Sequence, residues 1–396
     1  MRGAFKAVID YENMLSSKTK LIKPSGIRKF FDIANELDGV ISLGVGEPDF
    51  KTPFAIREEG IRTLENGKTW YSANAGLMEL RTEISRYLER RFDISYNPKD
   101  EVLVTVGGSE AIDLCLRALV NPGEEVLIPE PSFVCYTPLV ELIGAVPVPI
   151  ETKAENQFRL TKQDLLDKIT DKTKVLVLPY PNNPTGGVMR REHLEEIAEV
   201  LRERDIVVMS DEIYAELTYN GKHTSIASID GMKERTVVVN GFSKAYAMTG
   251  WRLGYAAGPA PILKQMTKIH QFAIMCAPTT SQYAAVEALR NGDESIERMA
   301  NEYNMRRRLI VSEFNRLGLD TFEPEGAFYI FPCIKSTGLS SEEFCERLLF
   351  SQKVAVVPGT AFGESGEGFI RVSYSYSVTH ILEAVERIRR FLDTLS

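Results

Sequence analysis

Between residues 100 and 260 the sequence alternates short, β-branched apolar runs with amphipathic stretches, and few architectures accept that rhythm. The runs cover 102–106, 126–128, 146–148, 175–178, 206–209, 237–239 and 253–257. They are apolar at successive positions, not at every second one, as expected of strands covered on both faces. Between them lie helix patterns. In 192–204, Leu194, Ile197, Ala198 and Leu201 fall at i, i+3, i+4 and i+7, with charges at most other positions. The alternation predicts an α/β fold, a large domain with a mostly parallel sheet covered by helices on both faces. Ligands of such sheets sit at the carboxyl ends of the strands.

The texture changes after residue 290. A long basic helix pattern over 296–317 is followed by strand-like pieces at 327–331, 354–357 and 369–373. A final amphipathic helix carries Ile381, Leu382, Val385, Ile388, Phe391 and Leu392 on one stripe. This part reads as a smaller α+β domain joined by the N-terminal segment. The expected division is 1–48 with the small domain, 49–290 as the large domain, and 291–396 as the small C-terminal domain.

Composition narrows the function. With 396 residues, 44% hydrophobic and 26% charged, the chain is an ordinary globular protein, neither collagenous nor disordered. A formal net charge of −8 argues against sequence-independent nucleic-acid binding, which needs a basic face, and against an anionic membrane surface. The five cysteines (Cys115, Cys135, Cys276, Cys333, Cys345) form no CxxC or zinc spacing, and the four histidines form no HxxxH pair. Reduced thiols in a cytoplasmic protein are expected, without a metal site. The first twenty residues are too polar for a signal peptide, and no run of 18 apolar residues suggests a membrane span.

Five segments carry chemistry. A strand ends at Val106, Gly107 and Gly108 follow, and a helix begins with Ser109 placed to cap it. Glycines there permit close approach, and free N–H groups with the helix dipole favour a phosphate. An ordinary strand–helix turn would look the same. The segment matches neither the Walker loop nor the dinucleotide fingerprint, and Gly44-Val45-Gly46-Glu47-Pro48 misses the latter too. Ser210-Asp211-Glu212-Ile213-Tyr214 puts two acids and a tyrosine at a strand's carboxyl end, where Asp211 could equally cap a helix. Lys244 follows the run 237–239 across a turn with Gly241, in Ser243-Lys244, and Arg252 comes eight residues later. A desolvated lysine there becomes a nucleophilic amine, although most lysines are simply solvated. Tyr180-Pro181-Asn182-Asn183-Pro184-Thr185-Gly186 reads as a rigid loop. Arg371 interrupts an apolar strand and must be paired, with a structural acid or with a substrate carboxylate. Together these pieces suit a pyridoxal-phosphate enzyme acting on amino acids.

Four of these stretches carry a resemblance: Ser243-Lys244 through Met248-Thr249-Gly250-Trp251-Arg252, Asn183-Pro184-Thr185-Gly186, Ser210 to Tyr214, and Gly44 to Phe50. The sequence from about Ser25 onward resembles the class I aminotransferases of pyridoxal-phosphate fold type I, in particular the prokaryotic aspartate and aromatic amino-acid aminotransferases. The resemblance implies that Lys244 binds pyridoxal 5'-phosphate covalently and moves the substrate proton. It implies that Asp211 pairs with the ring nitrogen, Tyr214 and Asn183 bond the ring's phenolic oxygen, and Phe133 stacks on the ring. Gly108, Ser109, Ser243 and Arg252 would hold the phosphate. Arg371 would take the substrate α-carboxylate, helped by Asn183 and the backbone at Gly46. Tyr71 matches a tyrosine that reaches the partner subunit's phosphate, which implies a homodimer. Ser25-Gly26-Ile27-Arg28 matches a part that closes over substrate. Gly241 stands where some relatives use a serine on the phosphate. Ser109 stands where some aspartate-preferring relatives place a lysine for the distal carboxylate.

The implied reaction is a ping-pong transfer of an amino group from an L-amino acid, aspartate or aromatic, to a 2-oxo acid, 2-oxoglutarate being favoured. A carbon–sulfur lyase or another pyridoxal-phosphate enzyme on the same scaffold is the alternative. A regulator would need a DNA-binding module, for which the segment before the resemblance is short. A nicotinamide-dependent oxidoreductase lacks its fingerprint.

Overall fold

The protein's structure, a computed structural model, describes residues 9–24 and 37–395. Its strands run in chain order as β1 (Ile41–Ser42), β2 (Val102–Thr105), β3 (Glu125–Glu130), β4 (Val146–Glu151), β5 (Thr173–Leu178), β6 (Val207–Asp211), β7 (Thr236–Gly241), β8 (Gly254–Ala257), β9 (Tyr329–Ile330), β10 (Val354–Ala355), β11 (Val357–Pro358) and β12 (Ile370–Ser373).

All seven apolar runs of the middle region become strands of one sheet, in the order β2-β8-β7-β6-β5-β3-β4. The pairs from β4 through β7 are parallel, and β8 runs antiparallel to both β7 and β2. Strands β2, β7 and β8 are buried at every residue, as their unbroken apolar character requires. The run at 146–148 differs. It forms the edge strand β4, where Val146 is exposed and Pro147 and Pro149 donate nothing to the ladder. A sheet edge tolerates both features.

The expected helix at 192–204 spans Arg191–Leu201. Its buried stripe is Leu194, Ile197, Ala198, Val200 and Leu201. Burying each large aliphatic side chain is worth roughly 1.5–3 kcal/mol. Beyond Leu201 the chain turns, and Arg202 donates Nε to the Asp230 carbonyl at 2.9 Å.

The C-terminal third forms a three-stranded antiparallel sheet, β11-β12-β9, with the helices Asp293–Arg316, Ser341–Gln352 and Val378–Asp393. β1 pairs in parallel with β10, Ile41 opposite Val354, which ties the segment before the large sheet to this third of the chain. One core gathers Tyr303, Phe314, Phe328, Ile370, Ile388 and Phe391, and it extends to Tyr214 and Leu217 after β6. The last helix departs from expectation at one position: Leu382 is exposed and Ala384 is buried in the stripe. The buried set 381, 384, 385, 388 and 391 follows the helical repeat, which Leu382 does not share. No helix of the described residues is long and apolar enough to cross a membrane.

Candidate active site

The carboxyl ends of β6 and β7 and the start of the helix Gly107–Leu119 surround a cavity of about 660 Å³. It is lined by Gly46, Gly108, Ser109, Phe133, Asn183, Asp211, Tyr214, Ser243, Lys244, Arg252 and Arg371, so residues from seven separate segments meet there.

Gly107 opens the helix at φ +75°, and a Cβ there would lie 2.6 Å from Arg252 Nη2. The glycine is what lets the guanidinium lie against the helix start. The residue before the helix is Val106, which offers no side-chain cap, so Ser109 does not cap the helix as expected. It lies one residue into the first turn beyond Gly108, exposed along the cavity. The Val106 N–H goes instead to Glu110 Oε2 at 2.5 Å, and the first-turn N–H groups that follow have no acceptor within the helix. Free helix-start N–H groups beside a guanidinium are an arrangement suited to an anion.

Asp211 ends β6 and is buried. It caps no helix: Oδ1 accepts the Ile213 N–H at 3.2 Å and Oδ2 accepts the Tyr136 hydroxyl at 2.7 Å. Burial raises its pKa, which the two hydrogen bonds oppose. The neighbouring acid takes no part in the cavity, because successive strand residues face opposite ways. Glu212 is wholly buried, accepts from Ser210 Oγ (2.9 Å) and Ser225 Oγ (2.6 Å), and stands 3.0 Å from His223 Nε2.

Lys244 lies in the turn after β7, and its Nζ donates to the Gly46 carbonyl at 2.6 Å. Burial lowers its pKa to about 8; Arg371 and Arg252 push the same way, while Glu47 and Asp211 oppose. About a tenth of the amine is then unprotonated at pH 7, far more than for a solvated lysine, as a nucleophile or proton acceptor requires.

Arg371 on β12 is only 3% exposed. Its Nη1 donates to Asn183 Oδ1 at 2.9 Å and its Nη2 to the Gly44 carbonyl, while its Nε is buried without a partner. The guanidinium sits between the Tyr329 ring (4.5 Å) and the Phe362 ring (4.8 Å). No carboxylate of the described residues forms an ion pair with it. A buried cation with neutral partners and an open donor needs an anion from outside the chain.

One expected site residue falls elsewhere. Tyr71 is 79% exposed and does not line its own chain's cavity. Ser25 to Arg28 lie outside the described residues. At Gly241 a Cβ would lie 2.9 Å from Gly254 Cα across the β7–β8 pair, so no serine fits there without a shift. Tyr136 and Tyr329 escaped the sequence reading. Each reaches the site through a hydroxyl contact to a residue far along the chain, and neither belongs to a recognisable motif.

The cavity thus brings together a glycine-lined helix start, a buried acid, a partly desolvated lysine and a buried guanidinium with a vacant donor, a set suited to an enzyme acting on small anions. The family model for aminotransferases of classes I and II matches residues 38–388. A putative aminotransferase of Bacillus subtilis, YugH, is 57% identical over 378 residues, covering 96% of this chain and 98% of that one. An aspartate aminotransferase of Pyrococcus abyssi is 48% identical, covering 96% and 98%. The crystal structure of an aromatic aminotransferase from Pyrococcus horikoshii superposes with a TM-score of 0.89 at 46% identity, covering 93% of this chain and 100% of that one. The chain belongs to the class I and II aminotransferases. It is a pyridoxal-phosphate-dependent aminotransferase, and its cavity fits that cofactor: a cradle at Gly107 for the phosphate, a buried acid and a partly desolvated lysine.

Proposed function

We propose that the cavity transfers the amino group of aspartate or an aromatic amino acid to 2-oxoglutarate in two half-reactions. The observation that carries this reading is Arg371, a buried guanidinium with a vacant donor and no acid partner among the described residues. It is a preformed receptor for the α-carboxylate shared by amino acids and 2-oxo acids.

In this reading Lys244 attaches the cofactor and later takes and returns the Cα proton through its Nζ. The first turn at Gly108 and Ser109, with Ser243 and Arg252, holds the phosphate. Asp211 pairs with the ring nitrogen, and a cation there would offset the burial that raises its pKa. Tyr214 and Asn183 bond the ring oxygen, and Phe133 covers a ring face. Gly46 contributes its backbone next to the substrate. Pyridoxal phosphate supplies the electron sink that makes the Cα–H bond acidic. The protein's share is placement. Asn183 fixes the plane of the Arg371 fork, and Tyr136 holds Asp211.

The mixed names of the relatives support both donor types, and Ser109 supplies no cation for a second carboxylate. A homodimer is supported by exposed apolar side chains. Trp70 is 60% exposed, Tyr71 79% and Phe272 86%. The segments that carry them adjoin: Thr279 Oγ1 donates to the Trp70 carbonyl (2.7 Å) and Asn74 Nδ2 to the Met275 carbonyl (2.8 Å). Tyr71, exposed and absent from the lining of its own cavity, would then serve the partner's. Five unpaired cysteines support a cytoplasmic location. The pairing of β1 with β10 supports the division in which the N-terminal segment, 1–48, is part of the small domain with 291–396 and 49–290 carries the cofactor.

The test is an absorbance spectrum of the protein with pyridoxal phosphate, followed by single amino acids. Loss of the visible band on adding a donor, and its return with 2-oxoglutarate, supports transamination and ranks the donors. Release of pyruvate and ammonia instead points to a lyase. Lys244→Ala should abolish turnover while the fold survives, and full activity in that variant refutes the role of Lys244.

A further inference from the structure

Tyr329 lies on β9, fully buried, with its side chain on the cavity. Its Oη is 2.8 Å from Tyr214 Oη. Its ring carries the Arg371 guanidinium at 4.5 Å. The hydroxyl occupies space that any side chain at 46 would fill, since a Cβ on Gly46 would lie 2.5 Å from it. Gly46 in turn accepts the Lys244 amine. One phenol thus touches the residues proposed for the carboxylate, the ring oxygen and the lysine's backbone partner.

Two phenols in contact share one proton between their oxygens, and the second proton must point elsewhere. If Tyr329 donates, the proton of Tyr214 is free for an acceptor in the cavity, and a donor that itself accepts a bond is strengthened. The surroundings favour this sense. Burial raises both phenols' pKa values, and the Arg371 guanidinium, 4.5 Å from the centre of the Tyr329 ring, opposes that rise most directly at Tyr329. The more acidic phenol is the better donor. The charged groups that bear on the pair are Arg371 on β12, Asp211 on β6, Glu47 in the segment after β1 and Lys244, whose Nζ lies 5.7 Å from the centre of the Tyr214 ring.

Building on the aminotransferase reading, we propose that Tyr329 is a positioning residue: its hydroxyl donates to Tyr214 and aims the Tyr214 proton at the ring oxygen, while its ring seats Arg371 for the substrate carboxylate. The carboxylate and ring-oxygen subsites are then coupled through one side chain.

The experiment uses the holoenzyme with Tyr329→Phe, Tyr329→Leu, Tyr214→Phe and the Tyr214→Phe/Tyr329→Phe pair. It reads the pH midpoint of the bound cofactor's visible absorbance, together with KM and kcat for the best donor. Tyr329→Phe keeps the ring and loses the bond, so the midpoint should rise by about 0.5–1 unit with KM changed less than about twofold. Tyr329→Leu should in addition raise KM by about fivefold or more, since it removes the face under Arg371. On the Tyr214→Phe background the Tyr329→Phe shift should vanish. An unchanged midpoint in Tyr329→Phe, or a shift that persists undiminished without Tyr214, overturns the proposal. Should Tyr329→Leu fail to fold, the Phe variants still decide. A wild-type protein that shows no cofactor absorbance refutes the functional reading itself; one that titrates normally and ignores Tyr329→Phe refutes only this inference.

Discussion

Gly107 and Gly108 are adjacent, yet alanine should have opposite consequences at the two positions. At Gly107 the backbone φ is +75°, and the new Cβ would sit 2.6 Å from Arg252 Nη2. The left-handed conformation alone costs an L-residue roughly 1–2 kcal/mol. The Cβ must also displace the guanidinium, and losing one charge-assisted contact to a phosphate costs about 1.5–3 kcal/mol. At Gly108 the Cβ would meet Val239 Cγ1 at 3.6 Å, an ordinary contact, and φ lies outside the left-handed range. Gly107→Ala should therefore weaken pyridoxal phosphate binding by about ten- to a hundred-fold. It should also destabilise the cofactor-free protein by about 1–2 kcal/mol. Gly108→Ala keeps its N–H and should bind within about threefold of wild type, the interval left by ordinary surface-scale changes. Absorbance titration with the cofactor and urea unfolding of the cofactor-free protein measure both effects. If the two variants bind alike, the assignment of the cradle to Gly107 and Arg252 is wrong.

Three further outcomes follow from the geometry. Arg371→Lys keeps the charge but loses the two-pronged fork, so KM for amino acids should rise by about ten-fold or more while cofactor affinity stays near wild type; an unchanged KM would remove Arg371 from the carboxylate site. Tyr136→Phe takes away a bond that opposes the raised pKa of Asp211, so cofactor affinity should drop below wild type increasingly as pH is lowered from 8 to 5, and a pH-independent ratio would contradict this. Lys244 carries a buried ammonium whose pKa falls from 10.5 to about 8. Below about 8 it is charged in the folded and unfolded states alike and the burial penalty is complete; between about 8 and 10.5 only the unfolded state keeps the proton; above 10.5 neither does, and the penalty is gone. Cofactor-free Lys244→Met should thus exceed wild type in stability at pH 7 by a margin that shrinks towards pH 10.5, and a margin constant with pH would show that the ammonium is not penalised.

The large sheet was legible because a strand buried on both faces leaves an unbroken β-branched run, and each of the seven runs is a strand. The exception at Val146 has a simple cause: the apolar count cannot tell a central strand from an edge, although Pro147 and Pro149 marked it. The residues that line the cavity were legible for a different reason. Asp211 ends a strand, and Lys244 and Gly108 follow shortly after one, at the carboxyl edge where sheet topology places ligands. What stayed hidden were the partners of those residues. Nothing in the sequence near Tyr136 announces Asp211, 75 positions on, and nothing near Tyr329 announces Tyr214, 115 positions back. The pair Asp211-Glu212 shows the converse: two acids side by side in sequence do unlike work, because the pleat sends one to the cavity and the other to buried serines.

The partners that fix Arg371 lie far apart along the chain: Gly44 is 327 positions away and Asn183 is 188. Closing such loops costs entropy before any contact repays it, and contacts of this span form late. During refolding the parallel strands and their helices can assemble from neighbouring segments, whereas the carboxylate receptor waits for the two ends of the chain to meet. Recovery of helical signal should therefore run ahead of recovery of ligand binding.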